Sequence, residues 1–250
     1  MEWGYPCPAP SVIFAVIPYL RFGMTIFYNL GLLIFTAGLS RATGPGHLLR
    51  SWILPLSRRG REFSWGFAVL ALACVAYHGI STLIQDIQWT WVEQIVPGQL
   101  AQSLWYDLNS VLFEELIFRG ILLYMLLRRL PEIGACLISA AAFGVYHWFT
   151  QGAWGNPVAM AVVFLATGLM GYVFAFAYAR TSSIALPFGL HLGWNLVNHT
   201  LFAAGPFGAL LLRPVSEEAA SLVSLLLYLA IPLLTLFLVN RRYPLSSKPH

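Results

Sequence analysis

Runs of about 20 apolar residues recur along the chain, each long enough to cross a hydrocarbon core of about 30 Å. Short polar or Gly- and Pro-containing breaks separate them. Seven runs are predicted spans, at residues 12–39, 65–84, 103–127, 133–149, 158–179, 184–203 and 222–239, the fourth and sixth being the shortest. The expected fold class is all-α, a polytopic transmembrane helix bundle of about seven spans with its site in the bundle core. No long linker, internal repeat or low-complexity tract interrupts the pattern, so residues 1–250 are expected to form a single membrane domain.

Composition agrees with the pattern. Hydrophobic residues make up 58% of the chain and charged ones only 10%, where a soluble domain carries about 25% charge. The net charge of +4 is too small to argue for nucleic acid, and the basic residues, 13 of 14 being arginine, fall in short runs between apolar segments. Eleven of them, Arg41, Arg50, Arg58, Arg59, Arg61, Arg128, Arg129, Arg180, Arg241, Arg242 and Lys248, follow the odd-numbered spans. The loops after the even-numbered spans hold Arg213 alone, beside Asp86, Glu93, Glu217 and Glu218. Because cytoplasmic loops are enriched in Arg and Lys, the N-terminus is expected outside and the C-terminus in the cytoplasm. The opening MEWGYPCPAP has no basic n-region, so a cleaved signal peptide is not expected. Such a compact chain suits a bacterial inner membrane. Cys7, Cys74 and Cys136 lack metal-knuckle or disulfide spacing and read as packing residues.

Against this apolar background three groups of polar residues stand out. Glu114, Glu115 and Arg119 lie within the third span, His147 in the fourth, and His191 with Asn195 in the sixth. Each ionisable group at the bilayer centre costs roughly 2.5–3.5 kcal/mol on insertion scales, so such residues mark function by default. On a helix Glu115 and Arg119 are i and i+4 and can pair, whereas Glu114 points about 100° away. His191 and Asn195, also i and i+4, face one pocket. At about 1.5 Å per residue from the cytoplasmic helix ends, Glu114, His147 and Asn195 all lie about 20 Å deep, and His191 one turn short at about 16 Å. Three spans thus deliver polar groups to one layer.

The residue types define a chemistry. A carboxylate can serve as general base while a histidine orients water or shuttles its proton, and a second histidine with an asparagine can hydrogen-bond a developing oxyanion. Water attacking a carbonyl is the implied reaction. No serine or cysteine sits in a recognisable nucleophile setting, which argues against covalent acyl transfer.

EELIFR, FGVYH and HLGWN fit the motifs EExxxR, FxxxH and HxxxN in that order. The chain therefore resembles the CPBP family of intramembrane proteases, which includes the type II CAAX prenyl endopeptidase and the Abi or lysostaphin-resistance-like proteins. The resemblance covers roughly residues 103–201, the expected catalytic core. It implies that Glu114 is the catalytic base acting with His147, that Glu115 and Arg119 support and orient, and that His191 and Asn195 stabilise the oxyanion. Zinc on Glu114, His147 and His191, with an open position for water, is one reading of the same donors; a metal-free glutamate mechanism also fits and is preferred. The implied partners are the lipid bilayer and a membrane protein, or a lipidated or tail-anchored peptide, cut near its C-terminus. A CAAX substrate requires a site open to the cytoplasm, whereas the depth estimate leans the site outward, which suits sorting tails processed after export. Two other classes remain as alternatives: a non-catalytic membrane scaffold or immunity-type protein, and a small transporter or proton relay.

Plainer roles are expected elsewhere. Asp107 reads as a helix-start or solvated residue beside interfacial Trp105 and Tyr106, and Asn198 and His199 as surface residues, with lining of the pocket mouth as the alternative. His78 and Arg21 are expected to face a polar cavity or snorkel to an interface. Gly189 and Gly193 have the spacing of close helix packing, and residues 41–63 read as a basic loop anchoring the cytoplasmic face.

Overall fold

The computed structural model describes residues 12–43, 48–202, 207–208, 210–214 and 222–244. The opening MEWGYPCPAP with Cys7, and Glu217, Glu218 and Lys248, lie outside the described residues, as do the side chains of Arg21 and Arg213. In chain order the elements are α1 (Val12–Thr43), α2 (Leu48–Ile53), α3 (Leu56–Gln85), β1 (Trp89–Trp91), α4 (Pro97–Glu115), a π-helical segment (Leu116–Leu123), α5 (Tyr124–Leu127), α6 (Glu132–Thr150), α7 (Pro157–Thr181), α8 (Ala185–Leu201), β2 (Leu212–Pro214) and α9 (Leu222–Arg242). The architecture is helical apart from β1 and β2, which pair antiparallel with Thr90 opposite Arg213.

Among the described residues four helical stretches are long and apolar enough to cross a membrane: Leu56–Gln85, Glu132–Thr150, Pro157–Thr181 and Ser224–Arg242. The other predicted spans also fold as helices, but α8 has only 17 residues and α4 runs to 19 with polar side chains along it. Large apolar side chains such as Phe27, Ile34, Leu72, Leu83, Val158 and Leu233 are exposed on helix surfaces. Such a surface belongs in lipid, and the chain is an integral membrane protein.

Local sequence explains where the rods begin and end. Pro97 and Pro157 open α4 and α7, where a missing N–H is harmless. The Asn156 side chain caps α7 by accepting from the Val158 and Ala159 amides. Asp86 and Ser182 end α3 and α7 in the left-handed conformation. The basic stretch 41–63 is more ordered than expected: α2 and the first turns of α3 occupy it. Arg58 and Arg59 both bond Glu62, and buried Arg59 also reaches the carbonyls of Ser51 and Thr181, tying α2, α3 and α7 together.

The closest packing joins α3 to α8. A Cβ on Gly189 would drive into the Phe63 carbonyl, one on Gly193 into that of Phe67, and one on Gly66 into that of Leu186. These three glycines let two backbones touch, as the 189/193 spacing predicts. The contact carries α8 deep into the bundle, with Leu186 and Leu190 fully buried. Ser183 caps the entry, accepting from the Ala185 amide and donating to the Trp52 carbonyl.

Gly193→Val is expected to lower the thermal stability of the detergent-solubilised protein by about 1–3 kcal/mol or more through overpacking. Gly79→Ala, where nothing lies within 4 Å of the added methyl, is the control and is expected to leave the melting temperature unchanged or higher; thermal unfolding followed by tryptophan fluorescence checks both.

Candidate active site

The rod formed by α4, the π segment and α5 supplies the carboxylates. Glu114 and Glu115 close the α-helical part, and Arg119 sits in the π-helical turns that follow. A π register rotates carbonyls away from their usual partners, and such segments occur often at functional sites. Ser139 of α6 answers this by donating to the Phe118 carbonyl at 3.2 Å. Gly120 leaves room for the Trp52 indole, which a Cβ would meet at 2.8 Å.

Glu115 and Arg119 are both fully buried, and their charged atoms lie 3.2 Å apart. Arg119 also donates to the Gly171 carbonyl of α7 at 3.2 Å, and its guanidinium stands 4.6 Å from the Phe143 ring and 5.2 Å from the Phe174 ring. Aromatic faces and a carboxylate thus replace the water an arginine would otherwise require. The same Glu115 oxygen, Oε1, accepts from His191 Nδ1 of α8 at 2.9 Å. Sequence spacing pairs Glu115 with Arg119 and is silent on His191. Tertiary packing of α8 against α3, α4 and α7 brings that imidazole to the carboxylate.

Glu114 is held differently. Its Oε2 lies 3.9 Å from His147 Nε2 and 3.8 Å from His191 Nε2, too far for direct hydrogen bonds. Among the described residues this buried oxygen has no hydrogen-bond partner. His147 Nδ1 donates to the Phe143 carbonyl at 2.8 Å. A carbonyl only accepts, so the proton of the neutral ring is on Nδ1 and Nε2 presents a lone pair towards Glu114. Two acceptors facing each other across this gap match a single water that donates to both.

All six sequence-predicted residues converge on this region. Glu114, His147, His191 and Asn195 line one cavity of about 570 Å³, within the range of ligand sites; Glu115 and Arg119 lie buried behind it. His191, which sequence spacing puts one turn short of that layer, brings Nδ1 to 2.9 Å from Glu115 Oε1 and Nε2 to 3.8 Å from Glu114 Oε2.

Three further expectations change. Asp107 is fully buried, not solvated, and His199 Nδ1 donates to its Oδ1 at 2.6 Å. His199 and Asn198 are not surface residues; both line the cavity, and His78 Nε2 donates to the Asn198 oxygen at 2.8 Å. His78 faces that cavity as expected. The i, i+7 spacing of Asp107 and Glu114 is the signal that places both on one face of α4.

For the zinc reading, Glu114 Oε2 lies 3.9 Å from His147 Nε2 and 3.8 Å from His191 Nε2, against the about 3.3 Å edge implied by tetrahedral bonds of 2.0–2.1 Å. Among the described residues no group of three or more His, Cys, Asp or Glu is arranged to hold a metal ion.

A family model described as type II CAAX prenyl endopeptidase Rce1-like matches residues 96–197. No curated protein and no solved structure matches the chain.

Arg119→Met would leave Glu115 buried with only an imidazole beside it. Removing one partner of a buried pair costs about 3–5 kcal/mol, so the variant is expected to melt well below the parent in detergent. Arg119→Met combined with Glu115→Leu is expected to recover part of that loss in the same thermal scan.

Proposed function

We propose that the chain, whose residues 96–197 match a family model described as type II CAAX prenyl endopeptidase Rce1-like, is an intramembrane endopeptidase in which Glu114 and His147 activate water. The observation that supports this most is the unpartnered Glu114 oxygen facing the lone pair of His147 across 3.9 Å.

In the proposed step a water donates one hydrogen to Glu114 and the other to His147 Nε2, which turns its oxygen lone pair towards the scissile carbonyl. The oxygen–carbon bond forms as Glu114 takes the proton. Glu114 then returns that proton to the amide nitrogen as the carbon–nitrogen bond breaks, leaving a new carboxyl terminus and a free amine. Asn195 offers its amide N–H to the oxyanion, and His191, whose Nδ1–H goes to Glu115, turns the Nε2 lone pair to the same centre, an acceptor for the attacking water. Arg119 keeps Glu115 in place. The step needs no metal.

Seven spans suit this reading, with α1, the α4–α5 rod and α8 joining the four apolar helices in the bilayer. From Glu114 the cavity extends past Ser110 and Tyr106, about one and two turns back along α4, towards Gln151 just beyond the end of α6 and His199 near the end of α8. These helix ends carry the arginine-poor loops, which the positive-inside rule assigns to the non-cytoplasmic face. A C-terminal tail presented after export therefore suits the site better than a cytoplasmic CAAX terminus, and the host membrane is read as a bacterial inner membrane.

Mass spectrometry of membrane-protein C-termini, in cells with the parent or the Glu114→Gln protein at equal abundance, is expected to show processed termini only with the parent. Identical termini in both would remove the protease reading. With a tail so identified, 1,10-phenanthroline is expected to leave the cleavage rate within about twofold, since a bound catalytic metal would be stripped.

A further inference from the structure

Beyond the water-activating residues, the same cavity holds a second polar group. Asp107 and His199 form one pair, and His78 and Asn198 another, on the arginine-poor side of Glu114. Seven residues separate Asp107 from Glu114 on α4, about 10 Å along the helix. Asp107 is fully buried, while the His199 side chain keeps 19% exposure. The carboxylate fixes the imidazole through Nδ1 and leaves Nε2 as the ring atom remaining for the cavity. In the same way Asn198 commits its oxygen to His78 and keeps its amide N–H groups as donors. Ser110, Thr150, Gln151 and Asn195 add further hydrogen-bonding groups to the wall.

Resting on the protease reading above, we propose that this upper chamber is a peptide-binding subsite, with His199, positioned by Asp107, hydrogen-bonding the unlipidated polypeptide that flanks the cut bond. A walled row of donors and acceptors is matched by peptide groups, each with one N–H and one C=O. A prenyl chain would bury those wall groups without partners, which is unfavourable. The subsite therefore selects peptide over lipid on this side of the cleaved bond. The chamber binds while the Glu114 centre reacts.

The test uses the full chain in proteoliposomes and a pool of sequence-randomised decapeptides, with and without a farnesylated cysteine, read by mass spectrometry of the products. The parent is expected to cut the unlipidated pool at least as well as the farnesylated one. For a peptide recovered from that pool, His199→Ala is expected to raise KM about tenfold, the effect of losing one hydrogen bond to a buried polar group, with a smaller change in kcat. His199→Gln keeps a hydrogen-bonding head and is expected to regain most of the affinity; Asp107→Asn falls between. A tenfold preference for farnesylated peptides, no cleavage of the unlipidated pool, or a loss confined to kcat in His199→Ala would each overturn the subsite. Equal cleavage of the pool by the parent and the Glu114→Gln chain would instead overturn the protease reading, so the two failures are distinguishable.

Discussion

The carboxylate of Glu115 is the fixed point of this molecule. It is a fully buried charge, tolerable only because Arg119 faces it from the next turn and His191 donates to it from another helix. Each of those partners needs its own support. Arg119 is held by two aromatic faces and the Gly171 carbonyl, and His191 stacks on Phe174 at 4.8 Å. One charge thereby ties the α4 rod, α6, α7 and α8 into a single arrangement. Buried pairs of this kind contribute little net stability, since desolvation offsets attraction. What they supply is register, because any other helix placement leaves a charge alone in an apolar interior.

With Glu115 committed, Glu114 is left free. Its neighbour takes the arginine and one imidazole nitrogen, so the second carboxylate faces the cavity with His147 opposite. His147 is set by a backbone carbonyl one turn back, which puts its lone pair on the atom facing Glu114. The pairing of two acceptors across 3.9 Å matches a single bridging water. The close approach of α8 to α3 at Gly66, Gly189 and Gly193 accompanies the His191–Glu115 bond.

Much of the site was legible in the sequence because charge in an apolar run is rare and helical spacing is regular. Glu114, Glu115, Arg119, His147, His191 and Asn195 stand out for that reason, as does the i, i+4 pairing of Glu115 with Arg119. The Glu115–His191 bond was not legible, since it depends on the tertiary packing of α8 against α3, α4 and α7. Asp107 and His199 were misread for a related reason. Near a span end both look interfacial, and only the pairing of α4 with α8, at residues 92 apart, joins them. The π-helical turns after Glu115 leave no periodicity signal in so apolar a stretch.

The central claim is that Glu114 and His147 act as one unit on one water. A double-mutant cycle on kcat/KM, using a peptide the parent cleaves and the Glu114→Gln, His147→Ala and combined proteins at matched folding, tests it. The account predicts that the combined protein is no slower than the worse single variant, because either change alone already disables the shared step. Losses that multiply would contradict it, showing that the two side chains contribute independently.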